Sequence, residues 1–222
     1  MIDKMALRPG LAAEAGSASA ADRPTETARP DWRSGLPALS NELVTLRDVR
    51  VSDAASLCAL LSSQEVHRFM SAPPPDAAGF ERFIRWAHDE RSAGRLICFA
   101  VVPKGGDIAV GIMQVRQIDP AFTMGEWGAA LGSPFWGTGL FESAVHLLFE
   151  FVFDGVGVRR LEARAAVQNG RANGAARKVG GVPEGVARQA LFCGGRYHDQ
   201  VMWSILAEDW RQARQRPRVV VH

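Results

Sequence analysis

The stretch PFWGTGLFESAV, residues 134–145, decides how this chain is read. Two glycines, Gly137 and Gly139, stand where a short strand-like run gives way to an amphipathic helix. Glycine has no Cβ to hold a ligand off the backbone, and the first N–H groups of a helix find no partner inside it. Those groups and the helix dipole together form a seat for phosphate or another anion, although a G-x-G also serves as a plain turn into a helix. The helix has an apolar body of Leu140, Phe141, Ala144, Val145, Leu148 and Val152, while Glu142, His146 and Glu150 recur every four residues as a polar stripe. One face belongs to a core and the other to water.

Working outward, the segment alternates between the periods of strand and helix. Upstream, Glu42–Arg47 reads as a strand and Ser52–Leu61 as a capped helix, with Leu57, Leu60 and Leu61 on one side. Ser63–Met70 is a second helix, and a third begins near Ala77 with Phe80, Phe83, Ile84 and Ala87 at helical spacing. The apolar run Arg95–Val102 suits a strand covered on both faces, Ile108–Arg116 is its hairpin partner, and Gly125–Leu131 leads into the glycine turn. Downstream, Arg160–Val167 alternates like a strand with one polar face, Arg171–Val179 is a helix stopped by Gly180 and Gly181, and strands Gly185–Phe192 and Tyr197–Leu206 flank a CGGR turn. The expectation is an α/β (α+β) domain with one core and about seven strands.

Composition narrows the function classes. At 222 residues and 47% hydrophobic content, one domain is expected. A formal charge of +2, with 26 basic against 24 acidic residues, speaks against nucleic-acid binding. Cys58, Cys98 and Cys193 are odd in number and lack C-x-x-C spacing, so neither a disulfide framework nor a structural metal site is expected, and a reducing cytoplasm is the expected location. No apolar run approaches the roughly 20 residues of a membrane span. Residues 1–40, with prolines at 9, 24, 30 and 37, read as a disordered leader, and Arg211–His222 as a solvated basic tail.

The second half carries a recognisable order of motifs. Asn169, Lys178 and Gly180 stand as N-x8-K-x-G in VQNGRANGAARKVGG, followed by PEGVAR and RYHDQVMWSILAEDW, and preceded by MGEWGAALGSPFWGTGLFESA. This resembles the GNAT N-acetyltransferases, specifically the RimJ/RimL-type branch that acetylates protein N-termini, over roughly residues 41–210. The resemblance implies the GNAT acyl-CoA N-acyltransferase fold, a mixed and mostly antiparallel sheet flanked by helices, with acetyl-CoA as co-substrate and no metal. It implies that Ala130 and Leu131 bond the pantetheine arm, and that Gly137, Thr138, Gly139 and Leu140 hold the pyrophosphate through backbone N–H groups, with the Thr138 hydroxyl as an extra donor. Asn169 is implied to reach the pantetheine arm, while its residue type equally suits a helix N-cap. Lys178 completes the motif.

The chain departs from the family pattern at four positions: Trp136 replaces Gln or Arg, Phe141 replaces a small residue, Ala172 replaces Ser and Gly181 replaces Phe. Phe141 either widens the turn or points into the core. The positions that carry the family's acid, 172 and 176, are both alanine, which leaves the chain's one tyrosine, Tyr197 in RYHD, as a candidate catalytic residue, although an aromatic there also suits a structural role. Glu126 is the nearest candidate base, being on the strand that would present the thioester; Glu162, Asp199, His67 and His198 are further titratable groups. An α-amine near pKa 8 is far more often neutral than a lysine near 10.4, so a chain without a dedicated acid and base suits the α-amine of a protein N-terminus. Small amines such as an antibiotic, a polyamine or an amino-acid derivative, and a non-catalytic acyl-CoA-binding domain, are the alternatives. Arg68, Phe69 and Trp86 are expected to face the acceptor, and an edge strand near Tyr197–Leu206 could support a homodimer.

Overall fold

The run read as a doubly covered strand, Leu96–Pro103, is buried at seven of its eight positions in the computed structural model, which describes residues 31–215. The leader expected over residues 1–30 and the tail's last residues, 216–222, lie outside the described residues. The first half contains β1 (Leu39–Ser40), β2 (Val44–Asp48), α1 (Ala54–Leu61), α2 (Gln64–His67), α3 (Ala77–Ser92), β3 (Leu96–Pro103) and β4 (Gly111–Gln117). The second half contains β5 (Met124–Leu131), α4 (Leu140–Glu150), β6 (Arg160–Ala166), α5 (Gly170–Lys178), β7 (Val182–Cys193), β8 (Arg196–Leu206) and α6 (Ala207–Gln215). A π-helical turn, Phe151–Val156, extends α4.

Eight strands form one sheet in the order β1-β2-β3-β4-β5-β6-β8-β7, antiparallel throughout except for the parallel pair β5 and β6. The side-chain period of two sorts each strand between two cores. On one face Trp127, Leu131, Leu161 and Ile205 pack with Leu140, Val145, Leu148 and Phe149 of α4. On the other, Cys98, Ala100, Ile112 and Ala130 pack with Leu57 and Leu61 of α1 and Phe80 and Ile84 of α3. The entry into α1 is fixed electrostatically. Arg47 on β2 makes a bidentate pair with Asp53, both distances being 2.8 Å, and the hydrogen bonds raise the guanidinium pKa against the opposing effect of burial.

The structure corrects two boundaries and one strand position. Residues 31–40, expected in the leader, pack on the domain: Trp32 is buried edge-on to Phe122 at 5.7 Å, and Leu39–Ser40 adds the eighth strand. Arg211 and Arg214, expected in a solvated tail, belong to α6, because Trp210 inserts beside Phe153 and anchors the helix. Arg211 then meets Asp154 at 2.8 Å and Arg214 meets Glu150 at 3.4 Å. Third, Tyr197–Leu206 is not an edge strand: β8 runs between β6 and β7, and β7 forms the edge. Pro183 and two register irregularities interrupt that edge, which are features that blunt strand-to-strand association.

Candidate active site

The site begins with a divergence of two strands. β5 and β6 pair only at Met124–Arg160, Gly125–Leu161 and Glu126–Glu162. Beyond that rung β5 keeps β4 as its neighbour up to Leu131, and β6 keeps β8 up to Ala166. The wedge between them is a cleft of about 630 Å³ lined by Trp127–Leu131 on one side, Ala163–Ala165 and Trp203 on the other, and Gly137, Gly139 and the first turns of α4 and α5 at its mouth.

The glycine turn is built as the sequence suggests. Gly137 and Gly139 have φ values of +75° and +82°, the left-handed region that other residues avoid. Gly139 is the N-cap of α4, and Ser143 is the first residue to bond back, to the Gly139 carbonyl at 3.1 Å. The N–H groups of Phe141 and Glu142 therefore point out of the helix end toward the cleft mouth, while the Leu140 N–H donates to Thr138 Oγ1 at 3.4 Å within the turn. The Thr138 hydroxyl is already used: it donates to the Phe135 carbonyl at 2.8 Å, which corrects its expected role as an extra anion donor. Trp136 closes the turn from the other side by donating Nε1–H to the Leu131 carbonyl at 2.8 Å, and Phe141 packs toward the core with its ring 6.5 Å from Trp127.

The opposite lip is the start of α5. Asn169 caps this helix by accepting the Ala172 N–H at 3.1 Å, as its residue type suggested, and it also lines the cleft. Lys178 stands at the mouth in an exposed ion pair with Glu142 at 3.1 Å. Ala130 and Leu131 line the cleft, as do Ala172 and Ala176, so the two positions lacking a family acid do face it. A Cβ at Gly181 would sit 2.7 Å from the Ala176 carbonyl, which explains why the α5–β7 turn has glycine where the family pattern has phenylalanine.

One residue escaped the sequence reading. Asn173 is buried; its Nδ2 donates to the carbonyls of Ala166 and Asn169, both at 2.9 Å, and its Oδ1 accepts Trp203 Nε1–H at 3.0 Å. It ties the end of β6, the cap of α5 and β8 together behind the cleft. The only sequence signal was its place in the buried stripe Asn173, Ala176, Val179. Asn173→Ala strands an indole donor and backbone carbonyls, so a loss of about 2 kcal/mol in unfolding free energy is expected, measured by urea denaturation.

The candidate catalytic groups separate. Glu126 occupies the last rung shared with β6, at the vertex of the wedge, on the sheet face that carries Ala130. Its carboxylate lies 3.9 Å from Arg164, and it is not itself among the residues lining the cleft. Tyr197 is 63% exposed on the β7–β8 hairpin, its ring 4.9 Å from Phe192, outside the cleft. Phe69 lines the cleft, whereas Trp86 packs on Phe83 beneath Arg116 and does not. His198 is buried edge-on to Phe69 and accepts from Arg196 Nε at 3.3 Å, and Asp199 accepts the Gln189 N–H at 2.8 Å. His67 lies at the end of α2 and is outside the cleft lining.

At the foot of the wedge Arg160 reaches across β8 to Glu184, at 2.8 and 2.5 Å, and bonds Glu162 at 2.9 Å. Hydrogen bonds from Arg160 and then Ser204 pull the Glu184 carboxyl from 4.5 down to about 2, and the hydrogen bonds to Glu184 and Glu162 raise the Arg160 guanidinium. A folded-state pKa below the unfolded one contributes stability that is complete above about pH 4.5 and lost as pH falls toward 2. Glu184 is 40% exposed at its side chain, so the contribution is modest and screened by salt. Thermal melts of Glu184→Gln are expected to lose part of the wild-type decline across this window, and 1 M salt is expected to shrink the difference.

Among the described residues no cluster of His, Cys, Asp and Glu is arranged to hold a metal, and no helix is long and apolar enough to cross a membrane. Comparison with known proteins bears on the same wedge. The family model described as "Acetyltransferase (GNAT) domain" matches residues 44–182. The protein named "Uncharacterized N-acetyltransferase p20" of Bacillus licheniformis is 27% identical over 176 residues, covering 79% of this chain and 99% of that one. "Putative ribosomal N-acetyltransferase YdaF" of Bacillus subtilis (strain 168) is 28% identical over 100 residues, 45% of this chain and 55% of its own. The crystal structure of a GCN5-related N-acetyltransferase from Brucella melitensis superposes with a TM-score of 0.69 at 26% identity, covering 81% of this chain and 82% of that one. The splayed β5–β6 pair, the glycine turn at its open end and the family match over most of the sheet place this chain in the GNAT family of acetyltransferases.

Proposed function

We propose that this acetyltransferase moves an acetyl group from acetyl-CoA to the α-amine of a protein N-terminus. The observation that carries the reading is the wedge itself: one strand with a free side, ending in a turn whose N–H groups point outward. Phe141 and Glu142 offer those N–H groups to a diphosphate, with Leu140 joining them by exchanging its long bond to Thr138 Oγ1, Ala130 and Leu131 present the free edge of β5 to an extended arm, and Asn169 offers its side-chain amide from the facing lip. Acetyl-CoA supplies the acyl group as an activated thioester. Glu126 is assigned as the base that accepts the amine proton through an intervening water, since the carboxylate is at the vertex and not on the cleft wall.

The choice of acceptor rests on Ala172 and Ala176 at the family's acid positions and on Glu126 standing off the cleft wall, where it acts only through water, together with the ribosomal N-acetyltransferase name carried by one relative. An α-amine is appreciably neutral at physiological pH and asks little of the protein, whereas a lysine side chain asks for a strong base. The test is thiol release from acetyl-CoA against a panel of peptides, polyamines and aminoglycosides, with products located by mass spectrometry. Acetylation at peptide N-termini is the expected outcome. Acetylation confined to lysine side chains or to the small amines would refute the assignment, and coenzyme A binding without thiol release from any amine would refute catalysis altogether.

A further inference from the structure

A second opening of about 270 Å³ adjoins the cleft, bounded by Glu65, Val66, Arg68 and Phe69 of α2 and its C-terminal end on one side, and by Trp136 and the start of α5 on the other. It shares Phe69, Trp136, Asn169 and Arg171 with the main cleft, but not Gly137 or Gly139. Val66 of α2 packs with α1 and α3, on the sheet face opposite α4. The opening is therefore a side exit of the cleft between α2 and the start of α5, with Trp136 on its rim.

Two arginines flank this exit. The Arg68 guanidinium lies 5.2 Å from the centroid of the Phe69 ring, and that of Arg171 lies 3.7 Å from the centroid of Trp136. Neither guanidinium has a carboxylate or hydrogen-bond partner among the described residues, whereas Arg47, Arg91, Arg95, Arg160 and Arg211 all do. Glu65, exposed on the first turn of α2, is the one carboxylate in the lining and pairs with neither. Stacking on a ring orients a guanidinium without consuming its N–H donors. Two forks of donors thus border one pocket, neither paired with its one carboxylate, Glu65, and a planar fork matches a carboxylate.

We infer that this exit is an acceptor subsite for an anionic side chain, which makes the preferred substrate a peptide N-terminus with aspartate or glutamate among its first residues. The inference rests on the proposed transfer to an α-amine. An extended chain advances about 3.4 Å per residue, so with the amine inside the cleft the acid belongs at the second or third position. Arg68 carries the clean test, because it lines the exit and not the main cleft, whereas Arg171 borders both.

The experiment measures kcat/KM for matched peptides carrying Asp, Asn or Lys at positions two and three, with wild type, Arg68→Gln and Arg68→Glu. Wild type is expected to favour the Asp peptide over the Asn peptide by about tenfold. Arg68→Gln removes most of that ratio and leaves the KM for acetyl-CoA unchanged, and Arg68→Glu shifts preference toward the Lys peptide. Arg68 is exposed, so both variants are expected to fold, which circular dichroism verifies. Equal rates on Asp and Asn peptides, a loss that is the same for every peptide, or a raised KM for acetyl-CoA would each overturn the subsite while leaving transfer to an α-amine standing. Failure of every peptide alongside turnover of small amines would instead overturn the α-amine reading and this inference with it.

Discussion

Gly139→Val is expected to weaken coenzyme A binding by about a hundredfold, or about 2.7 kcal/mol, in a protein that still folds. Space is not the obstacle, since a Cβ at Gly139 would meet nothing nearer than Leu43 Cδ1 at 3.8 Å. The backbone is. At φ +82° a β-branched residue is strained by roughly 1–3 kcal/mol, and the turn relieves that strain by rotating. Rotation re-aims the Phe141 and Glu142 N–H groups, which are the unpaired donors of this helix end, and disturbs the Leu140 bond to Thr138 Oγ1 beside them. Gly139→Ala is expected to have the same effect in milder form. Titration calorimetry with coenzyme A measures both, with circular dichroism as the check on folding; an unchanged dissociation constant in the valine variant would remove the phosphate seat from the mechanism.

Glu126→Gln is expected to lower kcat by about a hundredfold with little change in the KM for acetyl-CoA, the usual scale for a lost general base. The substitution keeps the shape of the side chain and removes its capacity to hold a proton. It also removes a weak ion pair, because Arg164 stands 3.9 Å away with 38% of its side chain exposed, and such a pair contributes little to stability. A fall in kcat with an unaltered urea midpoint is thus a chemical effect. The pH profile gives an independent readout: without the base, rate follows the neutral fraction of the amine and rises about tenfold per unit below about pH 8. A variant with wild-type kcat would show that Glu126 serves only as the partner of Arg164.

The parts of this domain that were legible in the sequence are those set by local chemistry. The turn at Gly137 and Gly139 could be read because a left-handed backbone needs glycine, and β3 because an eight-residue apolar run has few other uses. The strand order was not legible. Whether β7 or β8 lies at the edge depends on which pairs with β6, and the alternation of side chains is the same in both cases. Trp32 was hidden by its surroundings: its neighbours have the composition of a disordered segment, and its burial depends on core residues far along the chain, among them Phe122, ninety residues away. Tyr197 shows the opposite error, a residue type with the right chemistry in a place that never meets the cleft. Asn173 reads as an ordinary polar residue in a polar helix, and its role emerges only once Trp203 is brought beside it from another strand.

Trp127, Trp136 and Trp203 all border the wedge, half of the chain's six tryptophans. Occupancy of the wedge is therefore written into the protein's own fluorescence: an adenine nucleotide or an acyl arm entering there changes the solvation and quenching of several indoles at once. Acceptors and cofactor analogues can be ranked by emission alone, with no label attached and no turnover required.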